Sequence, residues 1–203
     1  LKEFSARGNN PQGKNMKKIM GVVGSPRKNG NTHILVSTIL QGAQESGNET
    51  DIILLGDHKI KECTGCHACW KGRICPRHDD MNDLYSRIIE CDALILGTPV
   101  YWFGPTALMK AFIDRFVYFN CPENRAKITG KPVLLAIPLE DENPDTYTPV
   151  VEFFRKSIDY LHMNLADMII APGVGRKGEI REQAEKMKEA GEMGRRIGLD
   201  LLK

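Results

Sequence analysis

From Lys17 onward the chain repeats one alternation: a short apolar run, a turn rich in glycine or proline, then apolar residues at helical spacing. The first run, K-K-I-M-G-V-V-G over residues 17–24, is apolar without interruption, as a strand buried on both faces must be. Residues 32–47 follow, with Ile34, Leu35, Ile39, Leu40 and Ala43 along one side of a predicted helix. Further strands are predicted at 50–55, 93–98 and 131–138, with the core of a fifth at 168–171, and further helices at 81–91, 105–119, 150–161 and from about 179 to 202. The Asp79–Asp80 pair suits the start of the helix at 81, and Pro105 suits a first helical position. Five strands alternating with helices predict an α/β fold: a doubly wound, five-stranded parallel sheet of order 2-1-3-4-5 with helices on both faces.

The 203 residues suit one domain with a substantial core, and 41% apolar content is ordinary for a globular chain. A net charge of +2 is too small to argue for a nucleic acid or a membrane surface. No stretch approaches the ~20 apolar residues of a membrane span. Residues 1–15 lack the apolar core of a secretory signal. They read as a flexible polar tail, or as residues foreign to a chain that naturally starts at Met16. Six cysteines without such a signal suggest a reducing, cytoplasmic setting, where clustered thiols mean metal or redox chemistry. The domain is therefore expected over 16–203, with a cysteine-rich loop at 57–80 that is longer than a strand-to-helix connection needs.

That loop holds Cys63, Cys66, Cys69 and Cys75 in the run C-T-G-C-H-A-C-W-K-G-R-I-C-P. The spacing C-x2-C-x2-C-x5-C-P is close to the run that holds iron–sulfur clusters in bacterial ferredoxins. Steps of three let one tight loop aim three thiolates at one point, and Cys75, beyond the turn at Gly72, can close the cage. A [4Fe–4S] cluster fits soft thiolate ligands. Zinc on four thiolates and a metal-free loop of packing or redox-active thiols remain open. His67 is expected to face solvent. Cys91 and Cys121 read as buried small hydrophobes.

Straight after the first strand comes Gly24-Ser25-Pro26-Arg27-Lys28-Asn29-Gly30-Asn31-Thr32, leading into a helix. The order 2-1-3-4-5 seats a mononucleotide at the carboxyl ends of strands one and three. Free N–H groups at a helix start favour an anion. Ser25, Asn31 and Thr32 add hydroxyl or amide donors, Arg27 adds a fork of N–H groups, and the segment has no carboxylate. It is neither G-x-x-x-x-G-K-[ST] nor G-x-G-x-x-G, which excludes a triphosphate P-loop and a dinucleotide fingerprint. A plain capped turn, with Asn31 or Thr32 as the cap, is the bland alternative. After the third strand lies Thr98-Pro99-Val100-Tyr101-Trp102-Phe103-Gly104-Pro105. Three adjacent aromatics in a loop are poorly placed for burial and suit a flat π system, or a hydrophobic dimer surface. A phosphate loop and an aromatic loop at these two strand ends describe a flavin mononucleotide (FMN) site.

The segments G-S-P-R-K-N-G-N-T (24–32), C-x2-C-x2-C-x5-C (63–75), D-D-M (79–81), T-P-V-Y-W-F-G-P (98–105) and L-M-K-A-F-I-D-R (108–115) together resemble the NADPH-dependent FMN reductase and iron–sulfur flavoprotein superfamily, which is flavodoxin-like. The resemblance runs from about Met16 to Lys203, and the cysteine spacing looks like the iron–sulfur flavoproteins of methanogenic archaea and other anaerobes. It implies that Ser25, Arg27, Asn29, Gly30, Asn31 and Thr32 hold the FMN phosphate. It implies that Pro99, Val100, Tyr101, Trp102, Phe103 and Gly104 line the isoalloxazine. By the same resemblance the expected function is electron transfer between FMN and a [4Fe–4S] cluster, with NADPH or NADH, or a redox partner protein, as the electron source. A homodimer or homotetramer with flavins at its interfaces is implied as well. No side chain is assigned as a catalytic acid or base. The chain departs from some relatives after strand four, where acidic, glycine-free residues 137–144 replace a glycine-rich segment. An NAD(P)H-dependent FMN or quinone reductase without a cluster, and a non-catalytic flavin-bearing regulator, are the alternatives.

Overall fold

Uninterrupted apolar runs become the strands of a sheet covered on both faces. The computed structural model describes residues 16–199; the tail expected at 1–15 and the last residues of the helix expected to reach 202 lie outside them. The strands are β1 (Lys18–Val23), β2 (Glu49–Leu54), β3 (Ala93–Gly97), β4 (Pro132–Pro138) and β5 (Asn164–Ala171). All neighbours are parallel, in the expected order β2-β1-β3-β4-β5. The helices are α1 (Asn31–Glu45), α2 (Met81–Glu90), α3 (Ala107–Asp114), the short α4 (Pro122–Arg125), α5 (Pro144–Tyr160) and α6 (Ala184–Gly198).

Alternate strand side chains feed two cores. Ile19, Val23, Ile95 and Leu134 pack with α1 and α6 on one face. Met20, Val22, Leu96 and Leu135 pack with α2, α3 and α5 on the other. Truncating a fully buried aliphatic here costs about 2–5 kcal/mol. Helices α1 and α6 meet backbone to backbone: a Cβ at Gly194 would lie 1.9 Å from the Ile39 carbonyl oxygen.

Four element bounds differ from the sequence expectation. The last helix, expected from about 179, is first a 3-10 turn over Glu179–Glu182 before α6 opens at Ala184. The helix expected at 105–119 divides into α3 and a 3-10 segment over Arg115–Asn120. The tighter winding brings residues three apart onto one edge, so Phe116 and Phe119 both reach the core, edge to face. Helix α5 begins at Pro144, not 150, with the Asn143 side chain accepting from the Asp145 N–H. Pro149 lies on an exposed face and ends nothing. Strand β5 contains the expected core 168–171 and extends it back to Asn164, because an edge strand needs apolar residues only along its covered part. Among the described residues no helix is long and apolar enough to cross a membrane.

Candidate functional site

The loops after β1 and β3 share a base. The Gly24 N–H donates to the Gly97 carbonyl at 2.7 Å, and the Thr106 hydroxyl donates to the Gly24 carbonyl. A Cβ at Gly24 would come within 2.6 Å of the Met109 Cβ, so the absence of a side chain lets this turn close on α3. Within the loop, Asn29 takes a left-handed φ of 55° and donates its N–H to His33 Nδ1 at 3.0 Å. Burial lowers the His33 pKa, which keeps that nitrogen an acceptor. The Gly30 N–H turns back to the Arg27 carbonyl, and α1 begins.

Helix α1 has no side-chain cap and no acidic residue in its first turn. Its first N–H groups and the positive end of its dipole are thus available to an anion. Beside it is a cleft of about 120 Å³, lined by Ser25, Arg27, Asn31 and Thr32, by Pro99, Val100 and Tyr101, and by Pro138, Leu139, Glu140, Val174 and Gly175. That is small beside the ~300–1,000 Å³ of a pocket that encloses a whole ligand. The cleft suits one end of an anionic ligand, with the rest lying over its rim.

Sequence spacing made Asn31 a phosphate donor, but the structure gives its side chain other work. Its Nδ2 donates to the carbonyls of Val174 (3.1 Å) and Arg176 (2.9 Å), and its Oδ1 accepts from the Ile180 N–H at 3.2 Å. Asn31 therefore ties the segment after β5 to the start of α1. Arg27 spends one fork arm on the Gly175 carbonyl at 3.0 Å. Ser25 Oγ accepts from the Arg27 N–H at 3.2 Å, and Thr32 is buried at the helix start.

At the rim, Tyr101 and Gly104 exchange N–H to carbonyl bonds of 2.9 and 3.0 Å. Between them Trp102 and Phe103 both have left-handed φ, 49° and 60°. Such a turn favours Asn-Gly, and an L side chain there costs roughly 1–2 kcal/mol. Trp102 is 95% exposed and, like Phe103, does not line the cleft. The structure thus gathers Ser25, Arg27, Asn31, Thr32, Pro99, Val100 and Tyr101. Asn29, Gly30 and Gly104 shape the backbone around them, and the two outer aromatics project from the rim.

The cysteine run leaves β2 at the same carboxyl edge. Cys63, Cys69 and Cys75 are partly buried and Cys66 is exposed. Left-handed His67 and Gly72 bracket a 3-10 turn over Ala68–Lys71. His67 is exposed against the Trp70 ring, whose Nε1 donates to the Val117 carbonyl at 2.8 Å. Cys69 is within electrostatic reach of Cys75 and Cys63: burial raises its pKa, and the charges of those two sulfurs add to that rise. Four soft thiols on one loop fit an iron–sulfur or zinc centre by ligand chemistry. Among the described residues, however, no three His, Cys, Asp or Glu side chains are already gathered as a metal-ligating group. Cys91 and Cys121 are buried, as small core residues.

The pairing of two residues under this loop is not evident from the sequence. Arg115 and Asp79 form a buried ion pair, with Nη1 to Oδ2 at 2.6 Å. The Asp79–Asp80 pair does more than start α2: Asp79 accepts the Lys61 N–H and Asp80 the Lys59 N–H, closing the base of the loop. Asp80, at the N-cap position, makes no side-chain cap bond. The available signal for Arg115 was its place on the stripe Met109, Phe112, Phe116 and Phe119, where an unpartnered charge is not tolerated.

The family described as NADPH-dependent FMN reductase matches residues 17–141. An iron-sulfur flavoprotein of Archaeoglobus fulgidus is 39% identical over 120 residues, 59% of this chain and 54% of that protein. An iron-sulfur flavoprotein of Methanocaldococcus jannaschii is 41% identical over 98 residues, 48% of this chain and 51% of that protein. The chain spans about half the length of the curated relatives it matches. Among solved structures, the NAD(P)H:quinone oxidoreductase from Methanothermobacter marburgensis superposes with a TM-score of 0.70 at 16% identity, covering 90% of this chain and 97% of that one. The flavodoxin-like fold is common to both.

Proposed function

The chain belongs to the NADPH-dependent FMN reductase family, and on that premise we propose that it is a flavin-dependent oxidoreductase of the iron–sulfur flavoprotein kind. It binds FMN at the cleft between the β1 and β3 loops and carries a [4Fe–4S] cluster on Cys63, Cys66, Cys69 and Cys75. The observation that carries the flavin part is the uncapped start of α1 beside a small cleft lined by Ser25, Arg27 and Thr32. That arrangement suits one terminal phosphate, with Pro99, Val100 and Tyr101 beginning a wall for a flat ring. Bound FMN accepts a hydride or single electrons, whereas an iron–sulfur centre passes single electrons.

The chain's own part is to bind, orient and shield. The α1 N–H groups and the Arg27 fork hold the phosphate end, Asn31 fixes the opposite wall, and the 101–104 turn sets the rim. NADPH or NADH, or a redox partner protein, is the proposed electron source. The exposed Trp102 and Phe103 suit a cover supplied by a second copy in a homodimer or homotetramer. Support for the cluster comes from the thiol spacing and from the two relatives named iron-sulfur flavoproteins. The second reading, an NAD(P)H-dependent FMN or quinone reductase without a cluster, draws on the ungathered state of the thiols.

Anaerobic purification separates the two. The proposal expects bound FMN with roughly four irons and four sulfides per chain. FMN with zinc, or with no metal after anaerobic reconstitution, leaves the cluster-free reductase. Protein that takes up no FMN overturns both.

A further inference from the structure

Directly beneath the thiols lies a side chain that flavin binding does not explain. Arg115 is 1% exposed, the largest fully buried side chain among the described residues. A buried guanidinium is costly unless its N–H groups find acceptors. Here Nη1 donates to Asp79 Oδ2 at 2.6 Å and to the Lys61 carbonyl at 3.1 Å, and Nη2 donates to Cys75 Sγ at 3.2 Å. Asp79, equally buried, also accepts the Lys61 N–H at 2.9 Å. The pair is neutral overall and joins the chain just before Cys63 to the chain just after Cys75. An ion pair alone would have closed the loop. The specific feature is that the second arm of the rigid fork ends on a cysteine sulfur.

We propose that Arg115 is a positioning residue for the metal group of the cysteine loop: it holds Cys75 as the fourth ligand and donates a hydrogen bond to that ligand sulfur, raising the group's reduction potential. The inference rests on the iron–sulfur reading above. Reduction adds negative charge to a centre whose sulfurs carry much of it, so a donor on sulfur stabilises the reduced form more than the oxidised one. Because Asp79 cancels the guanidinium charge, the effect comes from the directed hydrogen bond rather than from net charge. A tenfold change in the one-electron equilibrium is the expected size, about 59 mV.

Two full-chain variants test it beside wild type, each reconstituted anaerobically with iron and sulfide. The double variant Arg115→Met/Asp79→Asn removes the bond without leaving a buried charge unpaired. Arg115→Lys keeps the ion pair with Asp79 but has no second arm for Cys75. Retained FMN and circular dichroism report folding, and an EPR-monitored redox titration reports the midpoint. Both variants are expected to shift negative, by about tenfold in the equilibrium. A folded Arg115→Lys protein with the wild-type midpoint overturns the inference, and that variant decides if the double variant does not fold. A folded, FMN-bound Arg115→Lys protein that loads no iron supports it through the positioning role. Wild type that takes up no iron brings down the iron–sulfur reading itself, and the inference with it.

Discussion

Asn31 separates two accounts of the cleft, and Asn31→Ala tells them apart. Its side chain makes three hydrogen bonds to the segment 174–180, of 3.1, 2.9 and 3.2 Å, across more than 140 residues of sequence. Each neutral bond contributes about 0.5–1.5 kcal/mol. The bond to Arg176 is exposed and belongs at the low end, whereas those to Val174 and Ile180 are partly buried, so their partners lose more. Together these imply a loss of about 2–3 kcal/mol in unfolding free energy. Urea unfolding of the FMN-free protein should show a lower midpoint with an unchanged slope. FMN affinity should fall by no more than about tenfold, ~1.4 kcal/mol, because the α1 N–H groups, Ser25, Arg27 and Thr32 remain. Unchanged stability with a hundredfold or greater loss of FMN would refute this reasoning. The amide would then be donating to the phosphate, as the sequence spacing alone suggested.

Three further outcomes are expected. Arg27→Ala with Thr32→Ala should weaken FMN binding by ~2–4 kcal/mol by calorimetry, given ~1.5–3 kcal/mol for hydrogen bonds to charged groups; wild-type affinity would remove the phosphate assignment. Trp102→Asn with Phe103→Gly gives the left-handed turn the residues it favours and should stabilise the isolated chain by about 1–2 kcal/mol in chemical unfolding. A lower stability would mean that the two aromatics make contacts worth more than their backbone strain. Burial pushes the Cys91 thiol up to about 11 from its usual 9.0, against the nearby Lys131 ammonium. A raised folded-state pKa gives stability that is full below about pH 9 and falls by roughly 2–3 kcal/mol as pH rises to about 11. Cys91→Ala should remove that component, seen as a smaller difference between urea midpoints at pH 8 and pH 11.

Most of the fold was legible because it rests on local periodicity. Strands β1 and β3 are buried on both faces, and burial on both faces leaves an uninterrupted apolar signature. Where covering is one-sided or local, the signal thinned: the first half of β5, where Asn164 and Asp167 flank Leu165 and Ala166, and the turns of α5 before Pro149 lie outside the legible pattern. The site divides the same way. The loop 24–32 could be read because its donors are contiguous and open a helix. The direction of the Asn31 amide could not, since its acceptors lie about 145 residues away, after another strand.

Arg115 marks the limit and also a way past it. On the stripe of Met109, Phe112, Phe116 and Phe119 it is the one position carrying a charge. Helical spacing places that charge inside the core, and the cost of burying it requires an acceptor from another element. Local pattern does not say which one. Topology narrows the choice, because α3 follows β3, beside the carboxyl edge from which the cysteine loop leaves β2. That loop returns through Asp79, whose carboxylate satisfies the guanidinium and leaves the second arm for Cys75. A lone charge on a buried helical stripe therefore points to the loop that must neutralise it, and in this chain that loop is the one bearing the thiols.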